Sequence, residues 1–374
     1  MSVFIRPDLL AFAAYSAHPQ AADADLPDVI DYLDTNECSY DLPLALKEKL
    51  AWQYQRTIAA NRYPDGGQGK LKAAIAQYVT TSASLAAQAI TAKHVSVGNG
   101  SDELIRSLLI ATCAGRSGAV LVAAPTFSMY KILAQTLGIP VVTVGRDEQT
   151  FEVDLNAAQA AIEGNSDPIR VVFMVSPNSP TGNGLTTAEL AWLRQLPQNV
   201  LVVVDEAYFE FSQQTTVADA ISRPNWVVTR TFSKAFRLAA HRVGYAIAAP
   251  SLVQVLEKVR LPYNLPSFSQ AAAQLALTHY QELLGMIPEV QAERDRLTAA
   301  MEALSDFQVW PSAANFLYCR PTKARAERVF IHLRQQGTYI RQTGGGLRIT
   351  IGTPEENSRT LTHLKHALDA ETES

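Results

Sequence analysis

The sequence predicts an α/β protein in two parts: a large, doubly wound domain on a mainly parallel sheet, and a smaller α+β domain. Three observations predict this. Between His94 and Pro250, short apolar runs alternate with segments of helical period. Those runs carry β-branched residues at consecutive positions, as strands covered on both faces do. Beyond residue 262 the strand–helix alternation stops, which suits a separate α+β unit.

Residues 1–45 are interrupted by Pro7, Pro19, Pro27 and Pro43. They are expected to form an arm packing on the small domain or on a partner subunit. The large domain is assigned to 46–262. Its strands are read at HVSVG (94–98), AVLVAAP (119–125), PVVTVG (140–145), IRVVFMVSP (169–177), VLVVVDEAYF (200–209), WVVTRTFSK (226–234) and VGYAIAAP (243–250). Helical segments lie between and after them, at 101–114, 127–137, 154–163, 187–196 and 251–260, the rhythm of βαβ units. The small domain, 263–374, follows the loop PYNLPS (262–267). A long helical region, 268–304, comes next, in which Pro288 is expected to make a break or kink. Strands FLYCR, YIRQ and LRITIG and helices over 323–336 and 355–369 complete it.

Composition bounds the function. The chain has 374 residues, 47% apolar and 18% charged, with a formal net charge of −4. At roughly 150 residues per domain this allows two or three units, enough to bury a core without metals or disulfides. Apolar content near the globular average and a small net charge exclude global disorder. Without a basic excess, neither nucleic acid nor an anionic membrane is an expected partner. Cys38, Cys113 and Cys319 make no zinc spacing and no disulfide framework, the usage of a reducing compartment. No apolar run approaches the ~20 residues of a membrane span, and Met1–Leu10 lacks the apolar core of a secretory leader. The expectation is a cytoplasmic enzyme without a metal site.

In an open parallel sheet, ligands gather at the carboxyl ends of the strands. There the sequence places GNGSDE (98–103) opening a helix, Phe127 after the second strand, and Asn178 and Ser179 after the fourth. Asp205 ends the fifth strand, with Tyr208 beyond it; Thr231, Ser233 and Lys234 end the sixth, with Arg242 eight residues on. Each alone reads as an ordinary turn, cap or solvated side chain. Together they put an anion cradle, an aromatic, an acid, a tyrosine, a lysine and an arginine on one sheet edge. That set suits a phosphorylated, pyridine-containing aldehyde that condenses with an amine.

The ordered motifs NRYPD (61–65), GNGSDE, PTFSMY (125–130), SPNSPTG (176–182), DEAYFEF (205–211), TFSKAF (231–236), RVGYAIA (242–248) and LRITIGTPEE (347–356) resemble fold-type-I pyridoxal-phosphate aminotransferases. Within them they resemble the histidinol-phosphate aminotransferase branch, over nearly the whole chain. The resemblance implies pyridoxal 5′-phosphate as cofactor, bonded to Lys234, with Asp205 on its ring nitrogen and Tyr208 on its phenolic oxygen. It implies Gly100, Ser101, Asp102, Thr231, Ser233 and Arg242 around the phosphate, the first three through backbone N–H groups. Phe127 would stack on the ring, and Asn178 or Ser179 would face the phenolic oxygen. Tyr63 would reach the neighbouring subunit's site in a homodimer. Arg341 and Arg348 would bind substrate, with Tyr15, Asn36 and Asn315 nearby. Two arginines serve both glutamate and histidinol phosphate, since guanidinium forks bind carboxylate and phosphate alike. The implied reaction takes histidinol phosphate and 2-oxoglutarate to imidazole-acetol phosphate and glutamate, in histidine biosynthesis. Aromatic amino-acid transamination, and a lyase resembling threonine-phosphate decarboxylase, are the alternatives. The chain departs from the pattern at Ser179, where an asparagine is usual, at Phe127, where tyrosine is frequent, and at Arg237 and His241.

Overall fold

A computed structural model of the chain describes residues 4–10, 12, 27, 29–115, 118–304, 306–322 and 324–372. After a two-residue strand, β1 (Asp31–Tyr32), seven strands build the large sheet. They are β2 (Val95–Asn99), β3 (Ala119–Ala123), β4 (Val141–Val144), β5 (Ile169–Val175), β6 (Leu201–Asp205), β7 (Trp226–Thr231) and β8 (Val243–Ala248). Their spatial order is β2-β8-β7-β6-β5-β3-β4. Strands β3 to β7 are parallel, and β8 runs antiparallel to both of its neighbours.

The consecutive β-branched residues follow from two covered faces. In β6, Val202 and Val204 enter one core while Leu201 and Val203 enter the other; in β5, Val172 and Met174 oppose Val171, Phe173 and Val175. A period of two sends neighbours to opposite faces, and each such burial contributes roughly 1.5–3 kcal/mol. Strand β8 reverses because only a 3-10 turn, Ala239–His241, precedes it. A parallel return needs a crossover, usually a helix. This helix-free return carries both Lys234 and Arg242.

The small domain holds β9 (Phe307–Trp310), β10 (Phe316–Pro321), β11 (Thr338–Tyr339), β12 (Arg341–Thr343) and β13 (Gly346–Thr350). Strand β11 pairs in parallel with β1, whereas the other four form an antiparallel sheet in the order β12-β13-β10-β9. The expected strand YIRQ is thus divided between two sheets at buried Ile340. Arg359 clamps β1, donating to the Asp31 carboxylate at 2.9 and 2.6 Å.

One expectation is corrected. The boundary at 262 falls too early, because helix Ser267–Thr278 buries Ala272, Ala273 and Ala276 in the same core as Leu46, Leu71 and Ile75. The small-domain core begins at Met286 and Ile287, so the chain crosses near Gly285. It also crosses earlier, between Leu33 in the small core and Leu42 in the large one. The helical region 268–304 is three helices, Ser267–Thr278, Tyr280–Leu284 and Ile287–Ala303. Pro288 lies in the first turn of the last. The expected break falls just before it, at Gly285–Met286, and its missing N–H would have no intrahelical partner in a first turn.

A polar cluster is sealed beneath β7. Arg230 is fully buried, donates to Glu206 Oε2 at 3.0 and 2.8 Å, and lies 3.5 Å over the Phe209 ring. Glu210 accepts a hydrogen bond from the Tyr78 hydroxyl at 3.1 Å, and burial pushes its carboxyl up from 4.5 to about 7. The folded state therefore keeps a proton that the unfolded chain releases between these values, and stability falls as pH rises through them. Glu210→Gln, neutral at every pH, should gain on the wild type by roughly 2–3 kcal/mol between about pH 5 and about pH 8. Unfolding curves at the two pH values measure the difference; a constant gap would refute the assignment.

Candidate active site

The carboxyl ends of β5, β6 and β7 face a cavity of about 230 Å³, closed from the other side by Asp34–Asn36, Arg341, Thr343 and Arg348. Strand β6 delivers Asp205 to its floor. The Tyr130 hydroxyl donates to Asp205 Oδ2 at 2.6 Å, while Oδ1 has no hydrogen-bond partner among the described residues. Burial raises the Asp205 carboxyl from 3.8 to about 6, against the opposing hydrogen bond from Tyr130. Tyr130 itself is clamped by rings, stacked on Phe173 at 4.6 Å and edge-on to Phe127 at 5.5 Å.

Lys234 enters from the β7–β8 return and donates its Nζ to the Thr35 carbonyl at 2.7 Å. Burial, helped by the Arg348 and Arg242 cations and opposed by Glu37 and Asp102, lowers its amine from 10.5 to about 8. Tyr208, buried at the wall, receives a hydrogen bond from Asn36 Nδ2 at 2.8 Å, so its own proton is left to donate elsewhere.

The anion end is formed where helix Gly100–Thr112 begins beside β8. Ser101, Asp102, Thr231, Ser233 and Arg242 line it, and Arg242 Nη1 reaches Ser233 Oγ at 3.4 Å. A helix N-terminus with an adjacent guanidinium attracts an anion. Gly100 sits at φ 73°, and a Cβ there would come within 2.6 Å of Arg242 Nη2. Its N–H, however, donates to the Arg242 carbonyl at 2.8 Å, so Gly100 shapes the cradle but has no amide to offer.

The opposite end holds two cations. Arg341 and Arg348 are direct partners across the β12–β13 ladder, and both line the cavity. Two guanidinium groups set side by side in one wall have the chemistry to hold an anion. Arg348 is steered by its Nη1 bond to Ser179 Oγ at 3.0 Å, by a bond to the Asp34 carbonyl, and by the Phe316 ring 5.6 Å away.

Phe127, Ser179 and Asn36 thus meet Asp205, Tyr208, Lys234, Arg341, Arg348 and the side chains of the anion end in one cavity, with Tyr130 and Gly100 outside its wall. Others do not. Asn178 is buried behind the wall, donating to Pro125 O at 3.1 Å and to Thr181 Oγ1 at 2.6 Å. Asn315 stands one layer back and donates to the Asn36 carbonyl at 3.1 Å. Tyr63 is 81% exposed, stacked on Tyr263 and absent from the cavity wall. Tyr15 lies outside the described residues. His241 packs 5.5 Å from the Phe268 ring and Arg237 donates to the Leu283 carbonyl at 2.9 Å; neither lines the cavity. Sequence reasoning missed Tyr130, whose spacing of three from Phe127 was the available signal. It also missed Asp34 and Thr35, which act through backbone carbonyls and leave no signature.

The sequence profile of the family described as "Aminotransferase class I and II" matches residues 28–364. A histidinol-phosphate aminotransferase of Nostoc sp. is 57% identical over 377 residues, covering 98% of each chain. That of Trichodesmium erythraeum is 57% identical, covering 98% of this chain and 99% of its own. Among solved structures, a histidinol-phosphate aminotransferase of Sinorhizobium meliloti, in complex with pyridoxal-5′-phosphate, superposes with a TM-score of 0.83 at 22% identity over 98% of each chain. One from Clostridium acetobutylicum gives 0.79 at 20% identity, covering 91% of this chain and 100% of the other. The structures carry the fold, and the close relatives carry the assignment: this chain belongs to the class I and II aminotransferases, in the histidinol-phosphate aminotransferase branch.

Proposed function

We propose that the chain is a pyridoxal-phosphate-dependent aminotransferase that moves the amino group of histidinol phosphate to 2-oxoglutarate, giving imidazole-acetol phosphate and glutamate. The observation that carries this reading is the opposed pair Arg341 and Arg348 in one cavity with Lys234 and Asp205. Two guanidinium forks at one end accept either a phosphate dianion or a second carboxylate. The relatives with this activity in their names are similar from end to end.

The residues fit the cofactor. Asp205 has a buried carboxylate oxygen without a hydrogen-bond partner among the described residues, suited to a protonated ring nitrogen. The helix start at Ser101 and Asp102, with Ser233 and Arg242, suits a phosphate. When bound, pyridoxal phosphate supplies an aldehyde that condenses with amines and a ring that accepts the electron pair left by a departing proton. The protein's own groups do the rest. Lys234, with an amine near 8, is neutral often enough to attack carbon, and its Nζ can take a proton and return it. Asp205 is ionised above about pH 6 and keeps the ring nitrogen protonated. Tyr208, its oxygen already accepting from Asn36, turns its proton toward the phenolic oxygen. Phe127, in the cavity wall, would offer its ring to the cofactor's.

The exposed aromatic patch supports a homodimer. Tyr54 meets Phe268 edge-on at 5.6 Å and Tyr63 stacks on Tyr263 at 4.6 Å, all four rings exposed, and Leu261 is 72% exposed. Apolar exposure of this kind marks an association surface. A second copy seated there would bring Tyr63 to its neighbour's cavity.

Capture of pyridoxal phosphate by the apoprotein should accelerate as pH rises toward about 8, because protonated Lys234 cannot attack; stopped-flow absorbance gives the profile. Lys234→Ala should abolish the borohydride-fixed linkage altogether. Tyr130→Phe keeps the ring contacts but removes the bond to Asp205, and cofactor affinity measured by absorbance should weaken roughly five- to tenfold. In a substrate panel, histidinol phosphate should exceed phenylalanine and tyrosine in kcat/KM, and Arg341→Gln should lower its value by about 10- to 100-fold. Equal turnover of the aromatic amino acids, or carbon dioxide release from threonine phosphate, would replace this reading.

A further inference from the structure

Outside the cavity, the loop PYNLPS forms a polar hub between two backbones. Asn264 Nδ2 donates to the Val97 carbonyl at 3.1 Å and to Glu103 Oε2 at 2.8 Å. Its Oδ1 accepts from Gln68 Nε2 at 2.8 Å and from Arg260 Nη1 at 3.1 Å. An asparagine side chain has two donors and two acceptor positions, and here all four are used. On one side, Val97 and Glu103 flank the helix start that lines the anion end. On the other, Gln68 belongs to the loop that carries Tyr63.

The same loop is fastened at further points. Arg260 Nη2 donates to the Gly66 carbonyl at 2.6 Å, and Gln270 Nε2 to the Asp65 carbonyl at 3.1 Å. Tyr263 adopts φ 56°, a left-handed conformation that bulky L-residues rarely take. In it, the ring stacks on Tyr63 with centroids 4.6 Å apart and planes 13° from parallel. Exposure of Tyr63 together with so many ties on its loop indicates a side chain held ready for a group outside its own chain.

We propose that Asn264 is a positioning residue that sets the Tyr63 loop, presented to the partner subunit, in register with the anion-binding helix of its own subunit. The proposal rests on the reading of Tyr63 given above. With all four polar positions engaged, Asn264 fixes the separation of loop and helix start, and its loss leaves Glu103 and Gln68 without that bridge. A misplacement of about 1 Å at a positioning group can cost on the order of 100-fold in rate. The effect of losing Asn264 is therefore felt in the neighbour's cavity.

Hybrid dimers of two differently tagged chains test this as holoenzyme. Lys234→Ala on one chain leaves only the other chain's cavity active, and that cavity receives the Tyr63 loop of the inactive chain. Asn264→Ala placed on the inactive chain should raise KM for histidinol phosphate roughly five- to tenfold, the equivalent of about one hydrogen bond. It should also speed cofactor loss on dilution, as Tyr63→Phe on that same chain does. Silence of Asn264→Ala there, with Tyr63→Phe still effective, overturns the proposal and leaves the dimer reading intact. If Tyr63→Phe acts only on the active chain, both fail together. Should Asn264→Ala chains not assemble, Gln68→Ala cuts only the loop side of the hub; the same rise in KM supports the proposal, and no change overturns it.

Discussion

The cavity depends on one close approach. Helix Gly100–Thr112 begins so near to β8 that a Cβ on Gly244 would lie 2.4 Å from the Ser101 nitrogen. No other residue allows that contact without moving backbone. Because β8 returns antiparallel straight from β7, Lys234 and Arg242 leave and re-enter the sheet beside this contact. Gly98 and Gly244 face each other across β2 and β8, so both strands are stripped of side chains where the helix turns in. The cation of Arg242, the helix dipole and the amine of Lys234 are therefore placed by backbone packing, before any polar contact is considered.

That dependence explains which features were legible beforehand. Strand-end positions such as Asp205 and Lys234 follow from the parallel-sheet rule once the β-branched runs are recognised. The inner strands of the large sheet were readable for the same reason: both faces are covered, so the apolar signal is unbroken, whereas the edge strand β4 leaves Thr143 exposed and shows through its valines. The amides were harder. Asn178 and Asn315 carry suitable chemistry, yet each faces the layer behind the wall, and which way an amide points depends on loop geometry. Gly100 looked like an amide donor, but the antiparallel return brings the Arg242 carbonyl onto its N–H. The boundary at 262 misled because helix Ser267–Thr278 follows the last strand of the large sheet yet still packs on its core. Tyr130 reads as one more buried aromatic until its hydroxyl is seen on Asp205.

Charge is distributed on the same principle. The chain as a whole is slightly acidic, at −4, but the cavity gathers Lys234, Arg242, Arg341 and Arg348 around Asp102 and Asp205. The cations sit at opposite ends, one set at the helix start and the other on β12 and β13. Such a layout suits a ligand pair with an anion at each end and a neutral ring between. It also accounts for the direction of the Lys234 shift, since burial and two nearby guanidinium groups act together.

The segment from Asp31 to Leu42 is anchored at both ends and used in the middle. Its first residues pair with β11, its last enters the large core, and between them Thr35 meets Lys234 while Asn36 meets Tyr208. A span fixed in this way tolerates changes of side chain better than changes of count. One extra residue would carry Asn36 past Tyr208 with no slack on either side to absorb it. Among descendants of this chain, divergence here should accumulate as replacements at exposed positions, while the spacing between Asp31 and Leu42 stays constant.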